Sequence, residues 1–180
     1  YAGGGSDIVT AAAGSDLLVY VAAENSTVST NDLYDGGTGF DTLRLDLTRA
    51  EWMRADVQTD IANYLEFLAA NTGANGEDNT ASYTFSVFAL TVSNVEELAL
   101  TVDNVVIDPA NHPVTLGNDV VTTSENVASV AINVLANDSV PDLINTLTYS
   151  NPTNGSVQLA AAYSVTAVPP SAEFIYTPNT

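Results

Sequence analysis

Asp35-Gly36-Gly37-Thr38-Gly39-Phe40-Asp41-Thr42-Leu43 is the stretch on which the reading of this chain turns. It follows the pattern G-G-x-G-x-D-x-U-x, where U is a large apolar residue. Glycine reaches backbone angles that side chains forbid, so a run of this kind makes a tight turn whose carbonyls can point inward. Asp41 adds a hard anionic oxygen beside that turn, the ligand type that calcium favours. Leu43, two residues on, begins a short strand with its side chain toward an interior.

The neighbouring sequence repeats the theme. Ala2-Gly3-Gly4-Gly5-Ser6-Asp7-Ile8-Val9 fits with one glycine replaced, and Ala11-Ala12-Ala13-Gly14-Ser15-Asp16-Leu17-Leu18 keeps Gly14, Asp16 and Leu18. A degenerate unit places Asn25 nine residues after Asp16, and the register then slips, with Asp41 sixteen residues beyond Asn25. Nonapeptides of this pattern build calcium-binding parallel β-rolls. Over residues 1–47 the chain resembles RTX (repeats-in-toxin) segments of bacterial proteins exported by type I secretion. The resemblance implies bound Ca2+, extracellular or cell-surface location, and two stacked turns per ion. Asp7 is then expected to face the Asn25 turn, and Asp16 the Asp32–Asp35 turn. The implied ligands are Asp41 with the Gly37 and Gly39 carbonyls, Asp7 with Gly3 and Gly5, Asp16 with Gly14, and Asn25, Asp32 and Asp35. The alternative is that the glycines serve only as turns.

Composition bounds the rest. The 180 residues carry a net charge of −19 and no lysine, so nothing neutralises phosphates and nucleic acid is excluded as a partner. Such charge opposes compaction unless cations bind or the acids spread over a large surface. A hydrophobic fraction of 46% is nevertheless ample for a core, and no apolar run reaches membrane-spanning length, so no membrane insertion is expected. The absence of cysteine excludes disulfides, thiolate zinc sites and cysteine nucleophiles.

Downstream of the repeats the hydrophobic period changes. Thr48-Arg49-Ala50-Glu51 is a capping box, and Met53, Val57, Ile61, Tyr64, Leu65 and Leu68 follow at helical spacing. This predicts one helix over 48–71, ended by Asn71-Thr72-Gly73-Ala74-Asn75-Gly76 and laid over the apolar face of the coil. A ligand groove at Trp52, Tyr64 and Phe67 is the functional alternative. Strands resume at Tyr83–Val87, and a phase shift near Val87-Phe88 predicts a bulge or bend. Adjacent Glu96 and Glu97 point to opposite faces of an extended strand and read as a solvated pair rather than catalytic carboxylates. Residues 1–108 thus form the first domain and 109–113, with two prolines and the single His112, a linker. A lone histidine builds neither a metal site nor a triad.

From 114 to 180 the texture is all-β, with strands expected at 120–123, 127–135, 147–150, 155–159, 163–168 and 173–177. Asn151-Pro152-Thr153-Asn154-Gly155 reads as a hairpin loop. The string Ile132-Asn133-Val134-Leu135-Ala136-Asn137-Asp138, with Asn154-Gly155-Ser156-Val157 and Phe174-Ile175-Tyr176-Thr177-Pro178-Asn179, resembles the cadherin-like, Ig-like tandem repeats of large bacterial adhesins. The resemblance implies a β-sandwich, here without its closing strands. Val140 stands where the repeats commonly carry an acid and Leu143-Ile144 where they carry a Gly-Asp pair, which weakens any calcium site at Asp138 and Asp142.

The fold class expected is therefore mainly β: a short calcium-binding β-roll with one inserted helix, then an incomplete Ig-like sandwich. The functional expectation is a calcium-stabilised structural module of a secreted or surface adhesin. Its partners are neighbouring domains of the same protein, and association through open β edges is also expected. The chain has no G-x-S-x-G and no H-E-x-x-H, and its glycine run lacks the lysine of a phosphate loop. It is not expected to be an enzyme. The alternatives are the non-catalytic segment of a secreted hydrolase or toxin, and a self-assembling surface subunit.

Overall fold

A computed structural model describes residues 3–25, 31–73, 79–110, 114–140, 147–164 and 171–179. The chain is mainly β with few helices, and it divides into two compact units, Tyr1–Asn111 and His112–Thr180.

The first unit visits two sheets alternately. Strands β1 (Ile8–Thr10), β3 (Asp32–Asp35) and β6 (Leu90–Ser93) stack in parallel in one sheet. Strands β2 (Leu17–Val21), β4 (Thr42–Leu47) and β7 (Glu97–Val102) stack in parallel in the other. Each sheet ends on an antiparallel strand, β5 (Ser82–Thr84) in the first and β8 (Val105–Ile107) in the second. Alternation along the strands fills the space between with Leu18, Tyr20, Tyr34, Leu43, Leu45, Leu90, Val92, Leu98 and Leu100. Leu43 faces inward as its place in the repeat predicts.

The period differs from the expected one. Ile8 pairs with Leu33 and Leu17 with Thr42, so one coil takes 25 residues rather than eighteen. The extra length is the helical turn α1 (Ala22–Asn25) and the residues after it, of which 26–30 lie outside the described residues. The degenerate unit around Asn25 is therefore a helical turn and not a strand corner. Its amide donates to the Val21 carbonyl at 3.2 Å, and β3 rather than a strand after Asn25 continues the sheet.

Between β4 and β5 the chain leaves the coil. The capping box forms as read: Glu51 N–H donates to Thr48 Oγ1 at 3.3 Å and Thr48 N–H donates to Glu51 Oε2 at 2.8 Å. The single helix expected over 48–71 is instead two, α2 (Arg49–Trp52) and α3 (Ala55–Asn71). Arg54 is extended at φ −78°, ψ 130°, and the Gln58 amide donates across the break to the Trp52 carbonyl at 3.0 Å. That bond satisfies a carbonyl the interrupted helix leaves open. Val57, Ile61, Tyr64 and Leu68 are buried along α3. Rings then run continuously inward, Tyr64 on Phe85, Phe85 on Phe88, Phe88 on Tyr20 and Tyr20 on Tyr34, with centroids 4.9 to 6.2 Å apart. Trp52 and Tyr64 are core residues and Phe67 stacks on Tyr64, so among the described residues these aromatics pack on one another rather than facing an open groove.

Asp60, inside α3 and 3% exposed, anchors the bend read at Val87-Phe88. One carboxylate oxygen accepts the Tyr83 hydroxyl at 2.9 Å, and the other accepts the Ser86 and Val87 N–H groups at 2.6 and 3.0 Å. Strand β5 stops at Thr84, short of the expected Val87, because those peptide groups bond to Asp60 instead of to a sheet.

In the second unit a long antiparallel pair, β10 (Gly155–Ser164) and β11 (Ser171–Pro178), carries the two-residue β9 (Ile132–Asn133) on the other side of β11. Of the stretch expected as a strand at 127–135 only β9 is regular, although Ser129 exchanges bonds with Tyr176 through Ser129 N–H (2.8 Å) and Ser129 Oγ (3.0 Å). Residues 120–123 and 147–150 form no strand. The Asn151–Gly155 loop accordingly joins no hairpin. It leads into β10, its Asn151 side chain accepting the Val157 N–H at 2.8 Å. Leu135, Ala172 and Phe174 are the buried apolar cluster, with Val134, Leu147 and Val157 packed on it.

Candidate functional site

The Gly/Asp turns converge at the corners of the coil. Gly5, Gly14 and Gly39 each stand two residues before the corner aspartate and share φ of +132° to +133°, a conformation that glycine takes without strain. At the second corner the coils touch closely. A Cβ on Gly39 would lie 1.9 Å from the Gly14 carbonyl oxygen, and one on Gly37 would lie 2.0 Å from that of Ala12. Neither site admits a side chain. The turn function of these glycines therefore holds whatever else they do.

The Asp32 and Asp41 carboxylates each reach one coil back along the stack. Asp7 N–H donates to Asp32 Oδ1 and Asp16 N–H to Asp41 Oδ1, both at 2.8 Å across 25 residues. Asp41 N–H donates in turn to Glu96 Oε2 at 2.7 Å across 55 residues. The carboxylates thus form ladders, Asp7–Asp32 on one side and Asp16–Asp41–Glu96 on the other. Leu90 takes the slot after Asp32 and ends the shorter one. A carboxylate receiving a backbone N–H is a strong, charge-assisted bond, and it ties coil to coil where the sheet ladders stop.

These pairings correct two expectations. Asp7 faces Asp32 and not the Asn25 turn, and Asp16 faces Asp41 and not the Asp32–Asp35 turn, because the coil is 25 residues long. Asn25 and Asp35 join no ladder. Asn25 is buried on α1, and Asp35 Oδ1 accepts the Gly37 N–H at 3.1 Å and the Asn94 amide. Gly3 and Gly5 lie at the outer turn, with open space where a side chain would stand. Glu96 is a third correction. It is 8% exposed rather than solvated, and its second oxygen accepts the Asn79 N–H at 3.1 Å. Glu97 is exposed at the start of β7, so the two do point apart. Asp16-x-Leu18, Asp41-x-Leu43 and Glu96-x-Leu98 share one spacing, the signal that could have marked Glu96.

Burial leaves parts of these acids unmatched. Asp32 and Asp41 are wholly buried, and Asp7 Oδ2, Asp32 Oδ2 and Asp41 Oδ2 are enclosed without a hydrogen-bond partner. Burial raises the Asp32 carboxyl above its ordinary value, opposed by the Asp7 N–H and reinforced by the Asp7 carboxylate. Tyr20 is pushed up to about 12, by burial first and then by the Asp32 charge. Among the described residues no three acidic or histidine side chains converge on one point. The donors available to a cation here are therefore single carboxylate oxygens and backbone carbonyls, an all-oxygen set that suits calcium better than a transition metal.

In the second unit the Asp138 carboxylate accepts the Gly117 N–H at 2.7 Å. Asp142 and His112 lie outside the described residues. No described helix is long and apolar enough to cross a membrane.

Residues 108–180 match the family model of the bacterial Ig domain. Comparison with curated proteins and with solved structures found no match.

Proposed function

We propose that the chain is a calcium-stabilised structural module of a large exported or cell-surface bacterial adhesin, non-enzymatic, with neighbouring domains of the same protein as its partners. The Ig-domain match supports the structural-module half of this reading, since such domains are typical of bacterial surface proteins. The observation that carries the calcium half is Asp41. Its Oδ2 is buried without a partner at a corner where Gly36, Gly37 and Gly39 keep side chains away. An orphaned carboxylate oxygen inside a protein is costly, and a cation relieves it.

Asp41, with the Gly37 and Gly39 carbonyls, would hold the ion, and Asp16 with Gly14 would supply the facing turn. Asp7 and Asp32 form the second candidate pair. Calcium bound to the folded form alone at about 100 times Kd contributes on the order of 2.7 kcal/mol per site. With a net charge of −19, the chain resists folding where calcium is scarce and folds after export into a calcium-rich medium. Calorimetric titration of the chain and of Asp41→Ala tests the reading. The parent is expected to take up calcium and the variant to lose at least one site. A variant that binds as many ions, just as tightly, would falsify it.

A further inference from the structure

A cavity of about 190 Å³ lies where the end of α1, the break between α2 and α3 and the bend after β5 come together. Tyr20, Asn25, Glu51, Arg54 and Phe88 are among its lining residues. Tyr20 and Asn25 are buried and make its floor, whereas Glu51 is half-buried and Arg54 exposed, at its rim. The volume is below the roughly 300–1,000 Å³ of sites for drug-sized ligands, so a small group is what it holds.

The polar groups around it are mostly acceptors. Asn25 Nδ2 donates to the Val21 carbonyl at 3.2 Å, which leaves Oδ1 enclosed without a partner. Glu51 Oε2 is taken by the capping box, accepting Thr48 N–H and Thr48 Oγ1 at 2.8 Å each, while Oε1 accepts nothing among the described residues. At the floor the Tyr20 hydroxyl is held up at about 12, by burial first, then by the Asp32 carboxylate and further by that of Glu51. Both acids make the floor a place that favours positive charge. The Tyr20 and Phe88 rings, 5.9 Å apart at 60°, add the π-faces on which a cation also rests. Arg54 at the rim forks on Asp56 at 3.1 and 2.6 Å, so its charge is matched there.

We propose that this cavity binds a primary alkylammonium group, its N–H donors meeting Asn25 Oδ1 and Glu51 Oε1 and its methylene chain lying against Phe88. The other cations fit less well. A guanidinium pairs best with both oxygens of a carboxylate, and Glu51 has one to give. Calcium takes about six to eight oxygens, and the side-chain oxygens lining the cavity are those of Tyr20, Asn25 and Glu51. The chain has no lysine, so the ammonium comes from another molecule and not from a second copy. The site stands apart from the calcium reading.

The test titrates the full chain with n-butylammonium chloride, in calcium-saturated buffer at constant ionic strength, and follows amide chemical shifts by nuclear magnetic resonance. Saturable shifts are expected at Asn25, Glu51 and Val87–Ala89. Uncharged n-butanol, of similar shape, is expected to bind at least about tenfold more weakly. Glu51→Gln, which keeps a capping-box side chain, is expected to weaken the ammonium by about tenfold, and Asn25→Ala by a similar factor. Unchanged Trp52 fluorescence shows that each variant folds. Equal binding of n-butanol overturns the proposal, because the cavity would then be an apolar hole. So do unsaturable shifts scattered over the acidic surface, or affinity that Glu51→Gln leaves as it was. Nα-acetyl-lysine methylamide separates two sources of the same chemistry. Its entry supports a lysine side chain of a partner protein, and its exclusion beside bound n-butylammonium supports a free small amine.

Discussion

In Tyr1–Asn111 the buried side chains run from α3 through the ring series to the far strand of each sheet, whereas in His112–Thr180 they are Leu135, Ala172 and Phe174 among the described residues. The first unit encloses its apolar surface between two sheets and a helix. The second packs a small cluster on one antiparallel sheet and leaves Leu116, Val120 and Val130, which belong to no strand, 73% exposed or more. Polar groups divide the same way. Asp32, Asp41, Asp60 and Glu96 of the first unit are drawn inside and bonded to backbone N–H groups, while the second has Ser129 as its buried polar residue among those described. Closure is what differs: a coil shields its corners, and there a carboxylate becomes a structural part.

The largest effect that would sharpen this contrast is loss of a core ring. Tyr64→Ala is expected to destabilise the first unit by about 4 kcal/mol, and Phe174→Ala the second by about half that, because an open site collapses more easily. Trp52, the only tryptophan, reports unfolding of the first unit by fluorescence, and domain-resolved hydrogen exchange reports the second. Equal losses would break the contrast. Tyr64→Phe, which removes a buried hydroxyl without a partner, is expected to cost nothing.

A smaller effect tests the ladders. Glu96→Ala leaves the Asp41 and Asn79 N–H groups unmatched and is expected to cost about 2 kcal/mol in the same fluorescence assay. Glu97→Ala, at an exposed neighbouring position, is expected to stay within about 0.5 kcal/mol. Were the two alike, Glu96 would be the solvated residue its sequence suggests.

The smallest effect is one of pH, read in calcium-free buffer. Asp32 has its carboxyl raised above 3.8 by burial, so the folded state holds the proton more tightly than the unfolded chain does. Its contribution to stability is complete below the unfolded value and is lost as pH rises through the folded one. Asp32→Asn, which keeps an acceptor for the Asp7 N–H, is expected to be the more stable form at neutral pH. It should match the parent once the pH has fallen below 3.8. A variant less stable than the parent at neutral pH would mean that the ionised carboxylate is matched by something in the fold.

Much of this arrangement is legible along the chain. The nonapeptide around Asp41, its echoes at Asp7 and Asp16, the inward Leu43 and the Thr48–Glu51 capping box follow from local chemistry: where glycine alone fits, where an acid can cap, which residue of a strand faces in. The Asn133–Asp138 string likewise marked the region that matches the bacterial Ig domain. Tertiary structure alone decided which turn lies beside which. Spacing along a repeat assumes that every coil has one length, and α1 with the helical excursion between β4 and β5 changes that length without disturbing the local pattern. So Asp16 meets Asp41, 25 residues on, and Asp41 meets Glu96, 55 residues on. Burial is likewise a property of the closed coil. Glu96 looks solvated beside Glu97, and Asp60 is one acid on a polar-looking helix, until stacking removes water and leaves backbone N–H groups as their partners.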